Sequence, residues 1–266
     1  MHNSLDNDYT HEAYSDESNY NFQDYMSVCM ISFEKSLTLK LNEQINNILK
    51  ESNVQEFTWK KLNSAKNRFC AIKLLKLIIN YCKNEMVRID VLICPIKNRK
   101  KLFRDNEVNL LKKMYYQLFI NVLMKRWAID TKWVLFPDEQ GAIDWYEMRQ
   151  ILNHTIKNIK SITPSCSTIT PICQIADLFG GMAVFSYQNP QKLFLDIEQK
   201  TLFNIESGLS NSDIERVEVC KLFKSLCNRN GLNIILDKGY KTIDPNEKIN
   251  FWFFEVKDYR DEKLRL

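Results

Sequence analysis

The sequence predicts an α/β fold in which helices flank a sheet that contains parallel strands. Two apolar runs rich in β-branched and aromatic residues, 87–95 and 133–136, read as buried strands, and each is bounded by a proline. Segments of helical periodicity follow both runs, and such an alternation is typical of parallel α/β sheets. A hydrophobic content of 45% over 266 residues is sufficient for a large core. No Gly- or Pro-rich linker divides the chain, so we predict one domain.

The first half of the chain is expected to begin with a β-hairpin. A strand ending at Asp16 would pair with the alternating run 25–32 through the turn-prone residues 18–21. Apolar residues at helical spacing then predict two helices, with a short extended segment between them. In chain order these are a helix over 37–49, the extended segment 56–59, a helix opening at Ser64 with Phe69 and Cys82 among its apolar positions, and the central strand 87–95.

The second half is expected to alternate further and to end in a helix and a strand. A capping box formed by Ser212 and Glu215 marks one helix start, and Gly231 marks that helix's end. The predicted elements are an amphipathic helix with Val108 to Val122 on one stripe and Lys125 near its end, the strand 133–136, a helix over 143–157, a helix from about Pro171 to Phe185, the capped helix, and a strand over 249–256.

Composition excludes several classes of protein. Eight cysteines without a Cys-x-x-Cys pair argue against a zinc site, and three histidines, two of them in the polar lead, argue against histidine-based catalysis. No apolar run approaches the roughly 20 residues that cross a bilayer, and no secretory signal is present, so we expect a cytoplasmic protein with reduced thiols. The net charge is +4, and the basic stretch 97–104 is either a phosphate contact or a solvated loop.

Asp177 stands in an otherwise apolar, small-residue helical segment, 172–181. Burying an ionised carboxylate costs several kcal/mol unless charges or hydrogen bonds compensate it. Asp177 is therefore either satisfied by hydroxyls of the preceding loop 165–168 or a ligand for a cation.

Further acids lie at the ends of predicted strands, and functional residues of α/β sheets gather beyond the carboxyl ends of parallel strands. They are Asp16, Glu17, Glu56, Asp138 and Glu139. Taken singly, these acids also fit a turn, a helix start or a solvated surface. Together they suggest a carboxylate cluster, and oxygen-only ligands favour Mg²⁺ or Mn²⁺. Two such ions about 3.5–4 Å apart would support hydrolysis of a phosphodiester without histidine.

Three motifs resemble those of the domain of unknown function 3800 family: Asp16-Glu17-Ser18, the segment 56–60, and above all 174–181. The resemblance runs from about residue 12 to 188 and implies a ribonuclease H-like mixed β-sheet flanked by helices. It also implies that Asp16, Glu56 and Asp177 bind metal, with Asp138 or Glu139 as a fourth acid. On this basis the chain divides into a flexible lead (1–11), a ribonuclease H-like core (12–190) and a carboxyl-terminal elaboration of helices and a late strand (191–266).

The leading hypothesis is a metal-dependent nuclease with two divalent ions, acting through Asp16, Glu56, Asp138 and Asp177. Nucleic acid, DNA or RNA, would contact Lys60, Lys61, Arg99, Lys100 and Lys101, and Trp59 would either stack on a base or lie in the core. The resemblance to this family also suggests a role in a defence or mobile-element system. The alternatives are an inactive module of the same fold that binds nucleic acid or protein, and an adaptor whose helix over 213–230 recruits a protein partner.

Overall fold

The computed structural model describes residues 8–18, 24–96, 107–139, 143–193 and 209–254. Most of the predicted flexible lead lies outside this part of the chain. Within it, Thr10 and His11 both donate backbone hydrogen bonds to the Lys132 carbonyl, and Asp8 contacts Lys132 and Lys160. The described end of the lead is therefore tied to the neighbouring strand.

A mixed six-stranded sheet forms the centre of the fold, in the order β5-β4-β1-β2-β3-β8. Strand β2 pairs antiparallel with both β1 and β3, whereas β1–β4, β4–β5 and β3–β8 are parallel pairs. A two-stranded hairpin of β6 and β7 contacts β8. The strands are β1 (His11–Ser18), β2 (Tyr25–Glu34), β3 (Val87–Pro95), β4 (Trp133–Pro137), β5 (Ile159–Ile162), β6 (Ile234–Leu236), β7 (Tyr240–Thr242) and β8 (Ile249–Phe253).

Helices cover both faces of this sheet. One face packs against α1 (Thr38–Glu51), α2 (Ala65–Lys83), α5 (Cys173–Gln188) and α7 (Asn211–Arg229), and the other against α3 (Glu107–Lys125) and α4 (Trp145–Asn153). A short helix, α6 (Pro190–Leu193), and 3₁₀ turns at Lys35–Leu37 and Trp59–Lys61 complete the described elements. No described helix is both long and apolar enough to cross a membrane.

The alternation of side chains along β1 places it between two cores. Tyr14 joins the core shared with α1, α2 and α5, while Ala13 joins the core shared with α3 and α4. Because successive strand residues point to opposite faces, Asp16 lies on the α5 side and Glu17 on the α3 side. Tyr115 of α3 donates its hydroxyl proton to Glu17 Oε2 at 2.8 Å, in agreement with this assignment.

The structure confirms the α/β class, the hairpin, the strands around 87–95 and 133–136, and parallel strand pairs. Strand β1 continues two residues beyond Asp16, so Asp16 and Glu17 lie within a strand and not after one. The helix predicted over 143–157 is shorter, because Asp144 caps it by accepting a hydrogen bond from the Glu147 N–H and it ends at Asn153.

Three local predictions were wrong. Residues 56–59 form no strand and instead lead into the 3₁₀ turn at Trp59. Phe69 is 55% exposed, because it lies on the outer face of α2 beside the Arg68 guanidinium. The cap of α7 is Ser210, whose Oγ accepts the Asp213 N–H, whereas Ser212 donates its hydroxyl proton to the Leu62 carbonyl.

The carboxyl-terminal segment completes the central sheet. Residues 249–253 pair with Ile89–Ile93 of β3, so β8 becomes an edge strand of the same sheet. The predicted late strand is therefore confirmed, and it belongs to the central sheet.

Candidate functional site

Asp16 and Asp138 lie next to each other at the ends of β1 and β4. Tyr14 is the parallel-sheet partner of Phe136, and the two rings stack with centroids 4.8 Å apart on the α5 face. Two residues further along each strand, the same face carries Asp16 and Asp138. The Asp138 N–H donates to the Ser15 carbonyl at 2.7 Å, which continues the β1–β4 pairing to this point. Neighbouring strands are about 4.8 Å apart, so the two carboxylates lie side by side at the edge of the sheet formed by the carboxyl ends of β1 and β4.

Helix α5 brings Asp177 to this edge. The helix crosses β1 and β2 closely because Gly180 has no side chain: a Cβ there would lie 3.2 Å from both Ser18 Oγ and Ser27 Oγ. The Ser27 hydroxyl donates to the Gly180 carbonyl at 3.0 Å. Small residues therefore fix the height of α5 above the sheet, and Asp177 lies one helical turn before this contact.

Residues 56–61, here called the strap, run across α5; residues 56–58 are irregular, and the 3₁₀ turn Trp59–Lys61 follows. The Phe57 N–H donates to Gln174 Oε1 at 2.8 Å, and the Trp59 N–H donates to Asp177 Oδ2 at 2.7 Å. Trp59 is 7% exposed and packs directly against Gly181. The strap is thus attached to α5 by two side-chain acceptors and one tryptophan, and Trp59 is a packing residue.

Glu56 stands at the start of the strap and contacts both walls of the site. Its Oε1 accepts the Ser167 hydroxyl proton at 2.8 Å, and its Oε2 lies 3.3 Å from the Lys61 ammonium. Gln174 Nε2 donates to the Ser167 carbonyl at 3.0 Å. These contacts enclose a cavity of about 320 Å³ lined by Asp16, Phe57, Thr58, Lys60, Lys61, Asp138, Ser167, Gln174 and Asp177.

Burial and mutual repulsion make the site electrostatically unfavourable when all its carboxylates are charged. Burial raises the pKa of Asp16 well above its usual range, and Asp177, Glu17 and Asp138 raise it further. Burial raises the pKa of Asp177 to about 6, against the lowering effect of the Trp59 N–H, and Asp138 and Glu56 add to the rise. Burial likewise raises the pKa of Asp138. In the described part of the chain, the surroundings of Asp16, Asp138 and Asp177 therefore disfavour the charged forms of these side chains.

The residues predicted for the site divide into three groups. Asp16, Asp138, Asp177, Lys60 and Lys61 line the cavity, and Glu56 contacts two of its lining residues. Glu17 and Glu139 do not line it: Glu17 bonds to Tyr115 on the opposite face, and Glu139 is exposed next to Asp138. The predicted phosphate contacts Arg99, Lys100 and Lys101 lie outside the described residues.

The first alternative for Asp177 was wrong, because its partner is the Trp59 N–H and not a hydroxyl of the loop 165–168. A hydroxyl of that loop, Ser167, serves Glu56 instead. Sequence reasoning also missed Gln174, Ser167 and Thr58 as members of the site. The available signal was Gln174 itself, a second polar residue one helical turn before Asp177 in an apolar helix.

The donor chemistry of the cavity suits a hard divalent cation, because its acids offer only carboxylate oxygens. Among the described residues, no group of three or more His, Cys, Asp or Glu side chains is arranged to hold a metal ion. The raised pKa values of Asp16 and Asp177, together with their place in one cavity, are the observations that fit a cation.

Two relatives from Methanothermobacter thermautotrophicus resemble the chain over nearly its whole length. Uncharacterized protein ORF2 is 31% identical over 282 residues, and Uncharacterized protein ORF2′ is 31% identical over 275 residues. In both alignments the match covers 94% of this chain and 96% of the relative. No protein-family model matches the chain. The chain therefore belongs to the family of these ORF2 proteins.

Proposed function

We propose that this protein is a ribonuclease H-like, metal-dependent nuclease whose cavity hydrolyses phosphodiester bonds. The observation that carries the proposal is the convergence of Asp16, Asp138 and Asp177 on one cavity that has lysines beside them. A mixed sheet flanked by helices is the fold that the resemblance to the domain of unknown function 3800 family implies. Asp16 and Asp177 support the proposal twice, because they line the cavity and also belong to the motifs that carry the resemblance.

Asp16, Asp138 and Asp177 would hold the divalent ions, with Glu56 as a further acid beside them. Asp177 Oδ2 accepts the Trp59 N–H, which fixes the orientation of the carboxylate towards the cavity that it lines. When bound, Mg²⁺ or Mn²⁺ would activate water and neutralise charge on the phosphate. The raised pKa values of Asp16 and Asp177 express how unfavourable the charged cluster is without such a partner.

Lys60 and Lys61 would contact the phosphates of the substrate. Both line the cavity, and the ammonium of Lys61 is held 3.3 Å from Glu56 with 64% of its side chain exposed. A lysine whose charge faces water next to a cluster of acids can neutralise a phosphate that approaches the acids. The strap therefore supplies a carboxylate and two ammonium groups within six residues.

We expect Lys60→Ala to weaken binding to nucleic acid for all sequences alike. Replacing one phosphate-contacting lysine should lower the slope of log K against log salt by about 0.7–0.9. The measurement is a salt series of dissociation constants for a labelled oligonucleotide, with Lys238→Ala in the β6–β7 hairpin as the control. An unchanged slope for Lys60→Ala, or an equal change for the control, would remove the lysine from the substrate site.

The proposal is tested by incubating the purified protein with labelled single- and double-stranded DNA and RNA, in Mg²⁺, Mn²⁺ or chelator. Asp16→Asn and Asp177→Asn remove one carboxylate each, and Asp237→Asn is a control at an exposed acid outside the cavity. Loss of a direct metal-binding group should cost more than the about 10–100-fold of an outer partner. Cleavage that needs metal and is retained only by wild type and the control supports a nuclease and names its substrate. Binding without cleavage under every condition would instead favour a non-catalytic nucleic-acid-binding module.

A further inference from the structure

Gln174 is a buried amide, 1% exposed, in the apolar helix α5. Both of its functional atoms are used: Oε1 accepts the Phe57 N–H at 2.8 Å, and Nε2 donates to the Ser167 carbonyl at 3.0 Å. Phe57 belongs to the strap and Ser167 to the loop before α5. A single side chain therefore joins two segments that both line the cavity.

Glu56 is connected to Gln174 on two sides, through Phe57 and through Ser167. The Ser167 hydroxyl donates to Glu56 Oε1 at 2.8 Å, and Glu56 directly precedes Phe57 in the chain. Glu56 lies in no helix or strand, so local secondary structure does not determine its position. The two residues that hold Glu56, Phe57 through the chain and Ser167 through a hydrogen bond, are also the two hydrogen-bond partners of Gln174.

We propose that Gln174 is a positioning residue that holds the strap against the 165–170 loop and thereby places the Glu56 carboxylate beside Asp138 and Asp177. The electrostatic influence of Glu56 on both aspartates fits this placement. The role of the strap in metal binding rests on the proposed function. The attachment of the strap itself does not, because its hydrogen bonds need no metal.

Gln174→Met tests the attachment. Methionine is about as long as glutamine, but it is apolar and offers no comparable hydrogen-bond donor or acceptor. We expect trypsin to cleave the metal-free variant after Lys60 or Lys61 about tenfold faster than wild type, since losing two hydrogen bonds favours local opening. Gln44→Met is the matched control: Gln44 accepts the Tyr81 hydroxyl at 2.6 Å on α1, away from the strap. If Gln174→Met does not fold, Gln174→Asn keeps the amide but is too short to reach both partners.

A double-mutant cycle separates positioning from general packing. The dissociation constant for Mn²⁺, measured by electron paramagnetic resonance, is compared for wild type, Gln174→Met, Glu56→Gln and the double variant. We expect each single change to weaken Mn²⁺ binding about tenfold and the double variant to be no weaker than the weaker single variant. A purely structural role of Gln174 would not produce this non-additivity.

The results distinguish the inference from the proposed function. Two results would overturn the positioning role alone. One is a rate of trypsin cleavage and an Mn²⁺ affinity equal to wild type in the Gln174 variants. The other is a double variant in which the two losses of Mn²⁺ affinity multiply. A wild-type protein that binds no Mn²⁺ would overturn the metal site of the proposed function and, with it, the role of Glu56 there. Faster trypsin cleavage of the variant would in that case still establish that Gln174 holds the strap.

Discussion

In the absence of divalent cations, Asp177→Asn is expected to make the protein more stable than wild type. The buried carboxylate of Asp177 is disfavoured, as the rise of its pKa from 3.8 to about 6 indicates. A rise of this size corresponds to about 3 kcal/mol at neutral pH. Asparagine retains an oxygen that can accept the Trp59 N–H, so the variant removes the charge and keeps the strap contact. Urea denaturation in chelator measures the difference.

The pH dependence of this gain has a defined sign. Because the folded pKa of Asp177 is raised, its neutral form stabilises the fold at pH below 3.8, and that contribution is lost as the pH rises to about 6. The stability advantage of Asp177→Asn should therefore be small at pH 4 and reach its full value above pH 6. A variant that is less stable than wild type at pH 7.5 in chelator would mean that the folded protein compensates the Asp177 charge.

Gly181→Ala is expected to destabilise the protein by about 1–3 kcal/mol, although alanine normally stabilises a helix relative to glycine. A Cβ at position 181 would lie 2.3 Å from Trp59 Cγ, so the indole must move. Movement of Trp59 would also disturb the hydrogen bond from its N–H to Asp177. Thermal unfolding measures the loss of stability.

Gly180→Ala is the matched control at the next residue of the same helix. A Cβ there would lie 3.2 Å from Ser18 Oγ and Ser27 Oγ, which must shift by a few tenths of an ångström, and it would not meet a ring. We expect Gly180→Ala to lose less stability than Gly181→Ala, because two side-chain oxygens give way more easily than the Trp59 ring. Equal losses of stability in the two variants would show that both glycines matter for the helix backbone in general and that Gly181 has no special role in packing against Trp59.

The apolar pattern of the sequence predicted the elements that are buried along most of their length. Strand β3 is buried at every position up to Cys94, and α5 is buried almost throughout, so both were visible as apolar runs. Strand β5 was missed because three of its four residues are only partly buried and one is a lysine. Strands β6 and β7 have three residues each, which is too short for a period to be recognised.

The acids of the site were predictable, but their supports were not. Asp177 was conspicuous as a carboxylate in an apolar helix, and Asp138 as an acid after a buried strand. The strap has no local signal, because Gln174 and Asp177 hold it from positions 117 and 118 residues away in the sequence. Only the folded structure shows that this attachment places Glu56 in contact with Ser167 and Lys61, which line the cavity.

The central claim is that Asp16 and Asp177 hold divalent cations in the cavity, and titration of the protein with Mn²⁺ tests it most directly. Electron paramagnetic resonance of free Mn²⁺ gives the dissociation constant and the number of ions bound. We predict that wild type binds Mn²⁺, that Mg²⁺ competes for the site, and that Asp16→Asn and Asp177→Asn each weaken binding more than about tenfold. Absence of binding, or binding that both variants retain unchanged, would contradict the claim.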